Sequence, residues 1–418
     1  MPTKRLEKAP EIKTLKPPKL KEALLVPSKF KFGQVSGFPK KKAPVGPPTP
    51  SLGPLAAFKG TFTGNGFNTI FRPDSSATPT PLPIPAGGDN VLELNLTQET
   101  LSFGGPLTSV PNRGSGTQAD AFLNDVPYLQ TISDVTPPTP APGVGIHFEP
   151  GLWAVVPPTT DPTEGQTVVR MASIPHGTTI VAQGTATTIP GKPTIPREDI
   201  TPFFTPPPAA FPPAPPLPPP FPPPPPPPFN RFTSQDVLAG GTARIPQDLT
   251  VLNAAGLITQ PILDDPNTLL RNVIASMHIT STTILSISTF QPAPMFGGGT
   301  PNIAFLQGNP GVPNAQTVLM TATFWIETIE ITLIVPPFEL GGPPFTIAAE
   351  PVHPLLPVPR FLVNPPISIP HPLPIKIHFT QIQYSQKVFL NFNGLTWPHV
   401  SVATLVPNDA IVVPPSVW

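Results

Sequence analysis

The chain has 418 residues, 74 of them proline and 31 glycine, with 39% hydrophobic and 11% charged residues and a formal net charge of zero. That neutral balance gives no electrostatic footprint for nucleic acid, so none is expected as a partner. The lack of cysteine excludes disulfides, thiolate metal sites, iron–sulfur clusters and cysteine nucleophiles.

Residues 1–50 begin "MPTKRLEKAPEIKTLKPPKL" and are rich in Lys and Pro, with few branched apolar side chains. Such a segment buries too little surface to offset its ordering entropy, so it reads as a mobile, disordered basic arm. It serves either as a solubilising tail or as a tether to a surface or polyanion. It has no apolar h-region, so no secretory signal is expected and a cytoplasmic location is the default. No apolar run approaches the ~20 residues of a transmembrane helix.

From Phe58 the texture changes. "FKGTFTGNGFNTIFRP", "NVLELNLTQETLSF", "AFLNDVPYLQTISDV", "VGIHFEPGLWAVVP", "TVVRMASIPHG" and "TTIVAQGTATTI" follow at short intervals. Val, Ile, Thr and aromatic residues punctuated by Gly, Pro and Asn predict successive β-strands. In "VLELNL", Leu92, Leu94 and Leu96 share one face and Glu93 and Asn95 the other, a period of two. In "GTFTGNG", the residues Gly60, Phe62, Gly64 and Gly66 share a face. Missing side chains there serve either sharp coiling at a barrel corner or close approach of backbone to a ligand.

Residues 190–232 are a proline-rich insertion, and its core at 206–228 must be largely polyproline II. It is a stiff surface insertion or a ligand for a polyproline-binding groove of the SH3, WW or profilin type. A helical insertion is expected over 245–276, with Asp264 or Asp265 as N-cap, Pro266 in the first turn and an apolar face of Leu269, Leu270, Val273 and Ile274. Strands resume at "HITSTTILSISTF", "TVLMTATFWIETIEITLIV", "IKIHFTQIQYS", "KVFLNFNG" and "HVSVATLV", with a second Pro-rich loop at 336–374. About ten strands without βαβ alternation predict one all-β domain over 55–410. An antiparallel barrel is the economical form, because closure removes its edges.

The last strand places His399, Ser401, Ala403 and Leu405 on one face. A barrel of this size holds one small ligand, and an imidazole beside small residues suits such a site. His147 and Glu149 also share a face, but no HExxH or HxH spacing occurs, so a closed metal site is weakly supported. The "FGGGTPN" segment, Phe296 to Asn302, is a glycine turn without the lysine that phosphate binding needs.

Four segments together resemble the nitrobindin family of haem-binding β-barrels, within the calycin group that includes fatty-acid-binding proteins. "GTFTGNG" resembles the family's opening strand, with Phe62 in the tryptophan position. "HFEPGLW" at 147–153 resembles its middle hairpin. "VVRMASIPHGTTIVAQG", Val168 to Gly184, resembles its next hairpin, with Pro175, His176 and Gly177 in the turn. "YSQKVFLNFNGLTWPHVSVATL", Tyr384 to Leu405, resembles its closing pair.

The resemblance implies a calycin-like barrel in which His399 is the proximal ligand of haem b and the metal-binding residue. Gly60, Phe62, Gly64, Ser401 and Ala403 would lie along the cofactor. It implies binding of nitric oxide and isomerisation of peroxynitrite, while peroxidase-like chemistry would need a distal proton shuttle, for which His176 and His147 are the candidates. The chain departs from the family in its length, in its insertions and in "VPNDAIVVPP", which stands where basic residues usually end the last strand. Two other readings stand beside haem binding: a non-enzymatic carrier of a fatty acid, terpenoid or other apolar small molecule, and a Pro-rich structural or interaction protein.

Overall fold

The computed structural model describes residues 51–73, 90–137, 143–161, 163–174, 176–200, 203–204, 250–290, 298–307, 315–351, 357–392 and 395–418. The basic arm and the polyproline core at 206–228 lie outside these residues.

Ten long strands follow one another around a barrel. They are β1 (Gly60–Pro73), β2 (Asn90–Phe103), β3 (Ala121–Asp134), β4 (Val144–Val156), β5 (Thr167–Ile174), β6 (Thr178–Pro190), β7 (Ile279–Ser288), β8 (Gln316–Val335), β9 (Leu373–Phe392) and β10 (Leu395–Pro407). Each pairs antiparallel with the next, and β10 returns to β1 to close the ring. The all-β antiparallel barrel expected from the alternation is therefore present. The segments "IKIHFTQIQYS" and "KVFLNFNG" fuse into the single 20-residue strand β9.

Closure depends on glycine. A Cβ at Gly64 would stand 1.9 Å from the Thr404 carbonyl oxygen, and one at Gly66 2.1 Å from that of Val402. Any side chain at either position would push β1 off β10. The strand-pair register sets Phe62 level with Pro407, Gly64 with Leu405 and Asn68 with Ser401. The barrel thus has a lower end at Phe62 and an upper end at His399.

Near the upper end, β7 stops and another segment completes the wall. Val181 exchanges both backbone bonds with Gly299, at 3.0 Å each, and Thr179 N donates to Pro301 O at 2.9 Å. On its other side Asn302 Nδ2 donates to Thr317 O at 2.9 Å, at the start of β8. The described part of the expected glycine turn, from Gly298, bridges two strands.

Two cores form. Inside the barrel lie Phe58, Phe62, Leu101, Phe103, Tyr128, Trp153, Phe324, Tyr384, Ala403 and Leu405, among others. Outside the wall, Phe67, Leu94, Leu96, Trp325, Ile329, Val400 and Val402 pack under a covering layer. The leucine face of β2 therefore points outward, at least at Leu94 and Leu96, while Asn95 belongs to the opposite, lumen side. A wall buried on both sides explains why β8 and β10 read as nearly continuous apolar runs.

The cover includes three short helices, α1 (Thr250–Ala254), α2 (Gln260–Asp264) and α3 (Asn267–Ile274). Leu270, Val273 and Ile274 of α3 are buried as expected, whereas Leu269 is partly exposed. Neither expected aspartate caps α3 through its side chain: Pro266 is the cap residue, without a side-chain bond. Asp265 instead accepts from Glu198 N at 2.8 Å and from Arg271 Nη2 at 2.5 Å, because a buried carboxylate takes the charged donor within reach. The loop at 336–374 is not wholly irregular: Phe345–Ala348 and Arg360–Val363 pair, and Ile411–Val412 joins them in parallel.

Candidate functional site

Alternation decides what enters the lumen. On β4 the inward set is His147, Glu149, Gly151, Trp153 and Val155; on β5 it is Val168, Arg170 and Ala172; on β10 it is His399, Ser401, Ala403 and Leu405.

The lower half is filled by aromatic rings. Phe58 stacks on Phe103 at 4.4 Å, Phe62 meets Phe103 edge-on at 6.0 Å, and Trp153 meets Phe324 edge-on at 5.1 Å. Such offset and T-shaped pairs suit ring quadrupoles. Small residues make room for them: a Cβ at Gly151 would overlap the Tyr128 ring at 2.4 Å.

A polar layer lies on this plug. Arg170, 1% exposed, spreads its guanidinium over Phe324, Tyr128 and Trp153 at 5.3, 5.5 and 5.9 Å from their centroids. Its Nη2 donates to Glu149 Oε1 at 2.5 Å, its Nε to Tyr128 Oη at 2.8 Å and its Nη1 to Gln386 Oε1 at 2.6 Å. Tyr128 Oη also donates to Glu149 Oε1. Around the ring, Tyr384 Oη donates to Glu99 Oε2 at 2.6 Å, Gln130 Nε2 donates to the same oxygen at 3.2 Å, and Thr97 Oγ1 donates to Glu99 Oε1 at 2.9 Å.

Two buried carboxyls in this layer behave in opposite ways. At Glu149 burial opposes ionisation, but the Arg170 charge and the bonds from His147 and Tyr128 outweigh it and hold the group at about 2. At Glu99 burial dominates over its hydrogen bonds, so the carboxyl is pushed up.

Above this layer stand three histidines. His147 Nε2 donates to Glu149 Oε2 at 3.0 Å, and its ring centroid lies 5.9 Å from that of His176, which sits exposed in the β5–β6 turn. His399 comes from the opposite strand, β10. Its Nδ1 bonds the Thr69 carbonyl oxygen, and a carbonyl has no proton to give, so Nδ1 carries the hydrogen and Nε2 is left with a lone pair. No described residue hydrogen-bonds that Nε2. Burial pulls the His399 imidazole down to about 4, helped by the positive fields of His147 and His176, against the Thr69 bond. It is therefore neutral near pH 7, and the coupling to two rings on the far wall fits a ring that faces the lumen.

The structure gathers His147, His176, His399 and Ser401 at the upper end. Gly60 and Phe62 lie at the lower end, Phe62 being ~26 Å along β10 from His399, out of reach of a ligand bound there. Gly64 and Ala403 lie between, Gly64 in the closure seam. Among the described residues, no three or more His, Cys, Asp or Glu side chains lie together so as to hold a metal ion among themselves. A haem would supply its own nitrogen donors and ask one imidazole of the protein, and neutral His399 with its Nδ1 anchored fits that demand.

Sequence reasoning missed Arg170, Glu99, Gln130 and Tyr128. The signal was a lone arginine on the inward face of an apolar strand, which requires an inward carboxylate elsewhere.

No protein-family model and no curated protein matches the chain. A solved structure, the crystal structure of Rv2717c from M. tuberculosis, matches at 10% identity and a TM-score of 0.30, over 86% of this chain and 97% of that one. A likeness of that size says nothing of ligand or activity. No helix among the described residues is long and apolar enough to cross a membrane.

Proposed function

We propose that the upper lumen binds haem b, that His399 Nε2 would be the protein atom that holds it, and that the protein binds or converts small oxidants there. The observation that carries this reading is the state of His399: neutral, with Nδ1 tied to Thr69 O and Nε2 unengaged by any described residue. Imidazoles that ligate iron are oriented in this way by their second nitrogen. The bound group would supply an open iron position for nitric oxide, peroxynitrite or peroxide. The plug and polar layer below would confine it to the upper half of the lumen. His147, held by the Glu149 carboxylate, is the side chain in this reading that moves a proton, with His176 beside it.

The test is a hemin titration of the wild type beside His399→Ala. A saturable Soret band of one equivalent that is shifted or lost in the variant supports the reading; no stoichiometric change in the wild type ends it. If haem binds, His147→Ala should lower peroxide turnover at least tenfold while leaving hemin affinity within about threefold.

A second reading keeps the place and removes the iron: the barrel carries an apolar molecule without turnover. It is favoured by Met320 and Val388, which are buried on the lumen side level with His399. Co-purified lipid released by organic extraction, with no Soret response, would establish it. A polyproline-binding partner for 206–228 remains a sequence-based proposal, tested by binding of the isolated peptide to profilin and SH3 domains.

A further inference from the structure

The ladder between β4 and β5 is shorter than β4 itself. It runs from the pair Val156–Thr167 to the pair Gly151–Ala172 and stops at Pro150, a residue with no N–H to give. On its other edge β4 stays paired with β3 as far as Val144–Asp134. Among the described residues, no strand pairs with the β5-side edge of β4 from Val144 to Pro150. Strand β5 meanwhile turns back into β6 at His176 and Gly177. The upper wall therefore has a notch between β4 and the β5–β6 turn.

One side chain bars this notch. The β3–β4 register skips Ile146, passing from Ile132–His147 to Ser133–Gly145, so a bulge falls there. The His176 ring donates to the Ile146 carbonyl oxygen across the gap. Burial first, and His147 next, hold the His176 imidazole below its usual range against that bond, so near pH 7 the bar is a neutral ring. One neutral hydrogen bond beside solvent is readily exchanged for one to water.

Solvent meets the lumen on this side. His147, an inward residue, lies directly behind His176, and its side chain is 16% exposed. Glu149, the next inward residue, is 0% exposed and Arg170 1%, so access ends at the polar layer. The rim is apolar. Phe148 on β4 and Ile303 and Phe305 beside the turn are 51, 55 and 60% exposed. A Cβ at Gly177 would stand 2.8 Å from Ile303 and 3.1 Å from Phe305, which places both against the turn. Such a rim favours uncharged molecules over ions, which would lose hydration there without gaining a partner.

We propose that this notch is the entrance to the upper lumen for small uncharged molecules, and that His176 is its gate, open when its ring leaves Ile146 O. The swing of one side chain opens the wall there without breaking a strand pair, because none spans the notch. The inference concerns the way in and holds whichever ligand the lumen takes.

The chain has no cysteine, so Ser401→Cys places a single thiol on the lumen side of β10. The test is the rate at which methyl methanethiosulfonate, a small neutral reagent, modifies that thiol in the full chain with His176, His176→Ala or His176→Trp. The expected rate is about tenfold higher or more with alanine and about tenfold lower or more with tryptophan. An exposed thiol from Val412→Cys should react at one rate in all three backgrounds. Rates for Ser401→Cys that agree within about twofold across the three backgrounds would mean entry over the strand ends at the mouth, and overturn the proposal. Should Ser401→Cys fail to fold, Val388→Cys, on the lumen side of β9, carries the same measurement with the same two outcomes.

Discussion

Arg170 shows what a charge inside a barrel demands. Its guanidinium is removed from water, so it must be met by Glu149, Tyr128 and Gln386 together. Replacing it with methionine keeps the volume and strands the Glu149 carboxylate, and should cost about 3–5 kcal/mol in denaturant unfolding. Glu149 has a pKa of about 2 in the folded protein against an ordinary value of 4.5. The unfolded chain therefore takes up the proton first as pH falls, so this stabilisation, on the order of 3 kcal/mol, is complete above pH 4.5 and lost as pH approaches 2. In Arg170→Met that acid-dependent loss should disappear from pH-resolved urea melts. At His399 the depressed pKa works in the same direction in a higher window. Its unfolded form protonates near 6.5 and its folded form near 4, so stability falls as pH drops between them. His399→Gln should flatten that slope.

At the scale of elements, the "GTFTGNG" strand left two readings open, ligand contact and closure. The geometry of β1 and β10 supplies a closure role at Gly64 and Gly66, because carbonyl oxygens of β10 occupy the space of both side chains. Gly64→Val should therefore break the ring. Amide exchange along the pairs from Thr63–Val406 to Phe67–Val402 should accelerate at least a hundredfold, while the β3–β4 pairs keep more of their protection. Strand β8 carries a second consequence. Burial holds the Glu327 carboxyl up at about 8, against Gln381 and Lys192, while the unfolded chain titrates near 4.5. The folded state keeps the proton longer, so stability should fall as pH rises from 4.5 to 8, by a few kcal/mol. Glu327→Gln should remove that fall.

The whole molecule is a ring with cores on both sides of part of its wall. Backbone pairing runs from β1 through β10 and back to β1 without using 206–228. Deletion of 206–228 should therefore leave a single cooperative unfolding transition, checked by circular dichroism on heating; loss of cooperativity would make that segment part of the fold. The outer cover is different. Leu270, Val273 and Ile274 bury the outer faces of the strands that close the ring, so charged replacements there should loosen closure as well as the cover. Ile274→Asp should cost about 3 kcal/mol or more, read from urea unfolding.

The sequence by itself determined the strands, the division of each into two faces, and the place of His399 on the same face as Ser401 and Ala403. A period of two and glycine punctuation are local properties, and they survive folding. It determined less about α3, where Asp265 was drawn from capping to Arg271 by a stronger, charged partner. It also left open which face of β2 meets which core, because alternation separates two faces without saying which is inside. Only the tertiary structure decided the polar layer. Tyr384 bonds Glu99 across 285 positions, and Arg170 bonds Gln386 across 216. Such partners are chosen by ring closure, which brings the first and last strands together. Burial then fixes their charge states, and neither is written in any short stretch of chain.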